Sequence, residues 1–461
     1  MTSILSGLDT VQQALAAQQF ALSISQRNVS NVNDPNYTRQ EAVFNPTGEG
    51  SDYGISGVSI KANRDRYLDY SISREFQSLG ESTVTYKALQ QVDASFGGSS
   101  GGSLQEALSS FFNSFSSLTS APEDMSLRQQ VLTSAKTLAG EFRSTYSAIQ
   151  QVQVSADGSV KYAVDDVNSI TAQIADLNAK IQDAQQSHSE SESMLRDSRQ
   201  QLLENLSNLV DVSYFETESG SVTVTTRQGG MLVLGDQNSA LTLTHSSAGD
   251  FQRVLLNGSD ITDSLKSGEL GGLIHLRDDT LAGYLKALDE MAATITARVN
   301  EQHAQGSDLK GAMGGDLFTP FVEVIPGSNT GAARSMNVAI TDAAKIAAAG
   351  AGAGVGDNTN AKLLAGISEE KLFSGSTQTP TEYYSKLVYQ VGTDEKTAED
   401  DTNTQTSLVE QLKNQRSSLS GVNLDEEAVN IIKYQKAYQA SSRVANVLDT
   451  LSGEILNLLG T

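Results

Sequence analysis

Both ends of the chain carry a narrow apolar stripe with heptad spacing, a pattern that leaves few folds open. Near the start, Ile4, Leu8, Val11, Leu15, Leu22, Val29 and Val32 follow in steps of four and three, with Gln18 and Ser25 filling the missed positions. Near the end, Tyr434, Ala437, Ser441, Val444, Leu448, Leu451, Ile455 and Leu458 repeat the device. Steps averaging 3.5 residues keep one seam of an α-helix turned to a partner helix, so each end is predicted to be a long helix suited to pairing. Burying an aliphatic side chain yields about 2 kcal/mol, while ordering each residue costs about 1 to 2 kcal/mol. A helix with one thin stripe therefore stays frayed until it finds partners. Stripes at both ends imply pairing with each other and then with neighbouring copies. The alternative is a pair of ordinary surface helices in one bundle.

The rest of the composition narrows the function. The 461 residues suffice for about three domains. With 32 basic and 55 acidic residues the net charge is −23, which argues against nucleic acid or an anionic membrane as partner. Cysteine is absent, so disulfides, thiolate metal sites and cysteine nucleophiles are excluded. No stretch approaches the roughly 20 apolar residues of a membrane span. The first basic residue is Arg27, so no cleaved secretory leader is expected, and a cysteine-free chain suits export by a route that removes none.

Two motifs sit beside the terminal stripes. The first runs Asn28-Val29-Ser30-Asn31-Val32-Asn33-Asp34-Pro35-Asn36-Tyr37-Thr38-Arg39-Gln40, and the second Ser420-Gly421-Val422-Asn423-Leu424-Asp425-Glu426-Glu427. Pro35 and Asn36 fit the centre of a turn whose second residue takes positive φ. Asp425 is predicted to cap a helix, with Glu426 and Glu427 in its positively polarised first turn, a reading preferred over metal ligation or acid/base chemistry. The first motif is similar to the N-I-x-N-x-N-x-P-G-Y-x-R-Q segment of the bacterial flagellar rod, hook and hook-associated axial proteins. Asn36 departs from the usual glycine. The second resembles a signature of one hook-associated branch of that family. The matching positions are Asn28, Asn31, Asn33, Pro35, Tyr37, Arg39, Gln40, Gly421, Asn423, Leu424, Asp425, Glu426 and Glu427.

Between the ends, residues 54–60 alternate as a short strand before a helix. Leu104, Leu108, Phe111, Phe112 and Phe115 keep helical spacing, as do Val167 to Ala184 and, after a polar stretch, Leu195 to Leu209. From Val212 to Ile261 the period falls to two, with turns at Gly229-Gly230, Gly235-Asp236 and Asn257-Gly258, which predicts a small β-rich insertion. Leu281, Leu285, Leu288, Ile295 and Val299 follow the Gly271-Gly272 pair and return to helix. His188, His245, His275 and His303 are scattered, which makes a metal site improbable. Gly350 to Gly356 matches no phosphate-binding loop and reads as a flexible connection.

The sequence thus predicts a mainly α fold with a smaller β-rich domain. Expected domains are an N-terminal coiled-coil helix over 1–36 paired with 425–461, a helical body over 37–211 with a short β hairpin, a β-rich outer domain over 212–265, and the rest of the helical body over 266–424. The resemblance implies a structural subunit at the hook–filament junction, outside the cell and exported by the flagellar type III route. It implies self-assembly into a helical ring, contacts with hook protein and with the neighbouring hook-associated protein on the filament side, and an export chaperone on the C-terminal helix. Ile4, Leu8, Val11, Leu15, Leu22, Val29 and Val32 are expected to pack against Tyr434, Val444, Leu448, Leu451, Ile455 and Leu458, within one subunit or across neighbours. No enzyme, cofactor, metal, nucleic acid or membrane is expected. The alternatives are a flagellin-like subunit, the third hook-associated protein, or an extracellular binding module.

Overall fold

A computed structural model describes residues 2–46, 55–96, 103–187, 191–245, 250–322 and 327–459. His188, Gly54 at the start of the predicted strand and residues 97–102 of the glycine- and serine-rich breaker lie outside them. In chain order the elements begin with helix α1 (Thr2–Ser30), strands β1 (Gln40–Pro46) and β2 (Ile55–Ala62), and helices α2 (Arg66–Phe96), α3 (Leu104–Leu118), α4 (Met125–Gln186) and α5 (Glu192–Leu209). Strands β3 (Val212–Glu216), β4 (Val222–Thr226), β5 (Met231–Leu234), β6 (Gln237–Asn238), β7 (Leu241–His245), β8 (Gln252–Leu256) and β9 (Ser259–Asp260) follow. Helices α6 (Gly268–His275) and α7 (Leu281–Ala304) come next, then β10 (Gly306–Ser307), α8 (Ala332–Ser335), β11 (Ala349–Gly350), α9 (Thr359–Gly366), α10 (Pro380–Ser420) and α11 (Leu424–Leu459). The fold is mainly helical with small antiparallel sheets, as the periodicity predicts.

The chain divides into two compact units. The first comprises residues 1–78, 166–240 and 405–461 and so holds both ends of the chain. Its β1 and β2 pair in antiparallel register from Gln40 opposite Ala62. A four-stranded sheet in the order β3-β4-β5-β6 buries Val222, Val224, Leu232 and Val233 with Val167, Ile174 and Ile181 of α4 and Leu203 and Leu206 of α5. Polar side chains fasten this sheet to its helices. Arg199, 2% exposed, donates to Asn178 Oδ1 (2.8 Å), Gly220 O (2.7 Å) and Glu216 Oε1 (2.8 Å). Asn178 in turn donates to Val222 O and Gly235 O and accepts from the Val222 N–H. Each donor replaces a bond that water would otherwise supply, which is why so polar a cluster can stay buried. Burial lowers the Arg199 pKa to about 10 against the opposing pull of Glu216.

The second unit comprises residues 79–165 and 241–404. Phe111 lies at its centre, with ring centroids 5.1 to 5.5 Å from Phe112, Phe115 and Phe318. Helix α6 runs through a π turn, Leu276–Thr280, into α7, whose Leu281, Leu285, Leu288, Ile295 and Val299 are all buried. Gly272 permits a close crossing: a Cβ there would stand 3.0 Å from the Glu81 backbone of α2. His303 is fully buried, its Nδ1 bonded to Gly315 O at 2.6 Å while Nε2 accepts from the Ala347 N–H at 2.9 Å. Its pKa falls because burial penalises the imidazolium. A neutral ring satisfies both bonds, so this histidine is a structural fastener.

Two readings need correction. The strands expected to form one β-rich domain over 212–265 make two sheets, β3-β4-β5-β6 and β7-β8-β9, divided between the units at Ala240 and Leu241. Each sheet is too small to hold a core of its own and draws on the helices of its own unit. The stretch Gly350 to Gly356, read as a flexible connection, is a braced loop: Asp357 Oδ2 accepts from the Gly350 N–H (2.7 Å) and the Thr359 N–H (3.2 Å), and turns close at Ala353 and Asp357.

Candidate functional site

Segments from the two ends of the chain meet in the first unit. Helix α1 stops where asparagines turn back on the backbone, Asn31 Nδ2 donating to Arg27 O at 2.9 Å. Asn28 is fully buried and acts as a strand partner for the start of β1, donating to Gln40 O (2.8 Å) and accepting from the Gln40 N–H (3.1 Å). Its Oδ1 also accepts from the Tyr37 hydroxyl at 2.8 Å, and burial pushes that phenol up to about 12. The turn Asp34–Tyr37 closes with the Tyr37 N–H on Asp34 O, and Asp34 Oδ1 holds the Asn36 N–H, while Asn33 and Pro35 are exposed. Asn36 does not take the expected positive φ: among the described residues other than glycine, Asn257, Ser374 and Ser376 do. A turn of this kind accepts most residues in that place, so the absence of glycine costs little.

Helix α10 ends at Ser420 and α11 starts at Leu424. Gly421 allows the break, since a Cβ there would lie 2.2 Å from Ser417 O. Asn423 caps α11, its Oδ1 accepting from the Asp425 N–H (2.9 Å) and its carbonyl from the Glu427 N–H (3.0 Å). The expected cap, Asp425, instead lies in the first turn, because Asn423 already fills the capping position.

Arg39 fastens both sides of that break. Its N–H donates to Ser420 O at 2.9 Å, while its guanidinium meets Glu427 Oε1 at 2.8 Å and Glu426 Oε2 at 2.6 Å. Glu427 is 1% exposed and Arg39 15% at the side chain, so this pair is shielded from solvent. Burial works against the Arg39 charge, but the Glu427 hydrogen bond and the charges of Glu427 and Glu426 outweigh it and raise the pKa. Asn63 Nδ2 adds a bond to Leu419 O at 2.8 Å. Two motifs legible separately in the sequence are therefore one joint.

A second ionic group lies beside it. Asp197 accepts from the Thr38 N–H (3.1 Å), from the Thr38 hydroxyl (2.7 Å) and from Arg64. Arg416 pairs with Glu204 and stands 3.6 Å from Asp69. Burial raises the pKa of both Asp69 and Asp197 against these arginines. A cavity of about 280 Å³ opens between Tyr37, Arg64, Asp197 and Arg416. Each of these charges has an opposite partner, which accounts for their burial. Among the described residues no group of three His, Cys, Asp or Glu converges as a metal site would require.

Helices α1 and α11 pack against each other. Gln19 donates to the Tyr438 hydroxyl at 3.3 Å, Gly7 faces Leu448, and Phe44 of β1 lies 6.2 Å from the Tyr434 ring. The most buried residues of α1 are Ala17, Ala21, Ile24, Ser25 and Asn28; Ser25 lies on the expected seam, the other four stand one position before it, and Asn28 among them bonds to Gln40 of β1. The larger Leu8, Val11, Leu15, Leu22 and Val29 of the expected seam are half-buried, as is Val32 in the turn that follows. On α11, Tyr434 and Leu448 are half-buried, but Val444 and Leu451 are 49% and 43% exposed. Val447, Ile432 and Val429, which the heptad reading passed over, are exposed as well. The side chains of Ile4, Ile455 and Leu458 lie outside the described residues. Reading the sequence also missed Asn63, Arg64, Asp197 and Arg416, which carry no signal beyond being polar.

Comparison with known proteins gives the same picture from another direction. The family described as flagellar hook-associated protein FlgK helical domain matches residues 89–318, and the flagellar basal body rod FlgEFG protein C-terminal family matches residues 413–458. Flagellar hook-associated protein 1 of Bacillus subtilis (strain 168) is 28% identical, over 100% of this chain and 99% of that one. The protein of the same description from Escherichia coli (strain K12) is 26% identical over 98% and 99%. Among solved structures, the flagellar hook junction protein FlgK from Burkholderia pseudomallei superposes with a TM-score of 0.67 at 18% identity, over 76% of this chain and 100% of that one, which is a likeness of fold.

Proposed function

The chain belongs to the flagellar hook-associated protein 1 family, and from that premise we propose that it joins hook to filament by helical self-assembly through α1 and α11. The observation that carries this reading is the half-exposed stripe Val444, Val447 and Leu451 on α11, which flanks Leu448 at the edge of the face paired with α1. An apolar edge left uncovered beside a helix pair suits contact with neighbouring copies. The work is coupled folding and binding, with no chemical step. Partners in this reading are further copies of the chain, hook protein, and the next hook-associated protein on the filament side. An export chaperone on α11 between Val444 and Leu458 would keep that face covered before assembly. The domain scheme that goes with it pairs both termini in one coiled-coil layer.

A bacterial strain lacking this chain tests the reading. Its hooks are expected to end bare, with flagellin shed into the medium; filaments retained at normal number would refute the junction role.

A further inference from the structure

We propose that Asn257 is a site of spontaneous deamidation, which edits the β8–β9 hairpin of the second unit without an enzyme. It is the one asparagine of the sequence that a glycine follows. Both residues are exposed and both take positive φ, 51° at Asn257 and 80° at Gly258, the geometry of a two-residue hairpin turn. The Asn257 carboxamide has no hydrogen-bond partner among the described residues. The other asparagines are followed by residues with side chains, and Asn28, Asn31, Asn178, Asn300, Asn358 and Asn360 hold their amides in hydrogen bonds.

The chemistry needs only water. The Gly258 nitrogen loses its proton and attacks Asn257 Cγ; the new C–N bond forms as the Cγ–Nδ2 bond breaks, and ammonia leaves with the proton. Water then opens the cyclic imide at one of its two carbonyls. Opening at Cγ gives aspartate, and opening at the backbone carbonyl gives isoaspartate, with the chain now running through Cγ. The missing Cβ at Gly258 leaves the approach of its nitrogen unhindered. Strand β9 is two residues long and pairs only through Leu255 with Asp260 and Leu256 with Ser259, so local fraying gives the turn the freedom to react.

Isoaspartate adds one atom to a two-residue turn and cannot keep that register. What depends on the register is the Arg253 pairing with Asp260 and, at 3.2 Å, with Asp263, together with the bond from the Val254 N–H to Thr262 Oγ1 at 2.8 Å. Deamidation thus loosens the lead into α6. The chemistry stands without the junction reading; its bearing on an exported subunit that is not replaced rests on that reading.

The intact chain, held folded at 37 °C and mildly alkaline pH, should gain about 1 Da at Asn257 before any other asparagine, with isoaspartate identified by peptide fragmentation. The Gly258→Ala variant should slow the change about tenfold or more through the added Cβ. The same chain unfolded in urea shows that the peptide bond itself reacts. The proposal is overturned if Asn257 stays intact in the folded chain while the unfolded chain converts, if other asparagines convert as fast, or if Gly258→Ala leaves the rate unchanged.

Discussion

Arg39→Ala should destabilise the joint by about 3 to 5 kcal/mol, the range for removing one partner of a buried ion pair. The loss comes less from the missing attraction than from what stays behind. Glu427 is 1% exposed, and without the guanidinium its buried carboxylate loses the 2.8 Å bond that balances its charge. The Glu426 contact is more exposed and adds little. Amide exchange at Ser420–Glu427 in the intact chain reads the effect locally, because the start of α11 should open while the sheet of the first unit stays protected. Glu427→Gln tests the physical reason. A neutral amide leaves no buried charge, so this variant, combined with Arg39→Met, should recover much of the loss. A joint as stable in Arg39→Ala as in the parent would mean that the pair is incidental.

Val444→Asp with Leu451→Asp should abolish assembly and spare the fold. Val444 and Leu451 are 49% and 43% exposed at the edge of the face that pairs with α1, so a monomer should tolerate the change far better than an assembly does. In an assembly the same positions would be buried, and each loses roughly 2 kcal/mol of apolar burial before the cost of desolvating a carboxylate is added. At about 1.4 kcal/mol per factor of ten, two such sites weaken each contact by roughly a thousandfold. The contact then repeats at every copy in the ring. Circular dichroism unchanged from the parent, together with bare hooks in a strain carrying only the variant, is the expected result. Leu448→Asp separates the two faces, since it should disturb the α1–α11 pair itself.

The comparison of sequence with structure is instructive where it failed. Heptad steps revealed two pairing helices, while the fully buried residues of α1 include Ala17, Ala21 and Ile24, one position before that seam. Alanine carries little weight in a hydropathy pattern, so a second buried stripe of this kind is easily passed over. Each motif was visible alone, while the Arg39 to Glu427 bond joins residues far apart in sequence, and nothing local signals such a contact. The division of the strands at Ala240 was hidden for a similar reason: β7 follows the same alternating pattern as β4, and its allegiance is decided by the helices available to each sheet. Buried charges such as Arg199, Asp197 and Glu204 read as surface residues, because charge is normally solvated unless a partner in space allows otherwise.

The central claim is that the terminal helices are completed by neighbouring copies. Hydrogen exchange over residues 1–35 and 430–461, compared between the purified chain and the same chain in isolated hooks, tests it most directly. Rapid exchange in the free chain and strong protection in the hook is the predicted result; equal protection in both, as in a self-sufficient monomer, would contradict it.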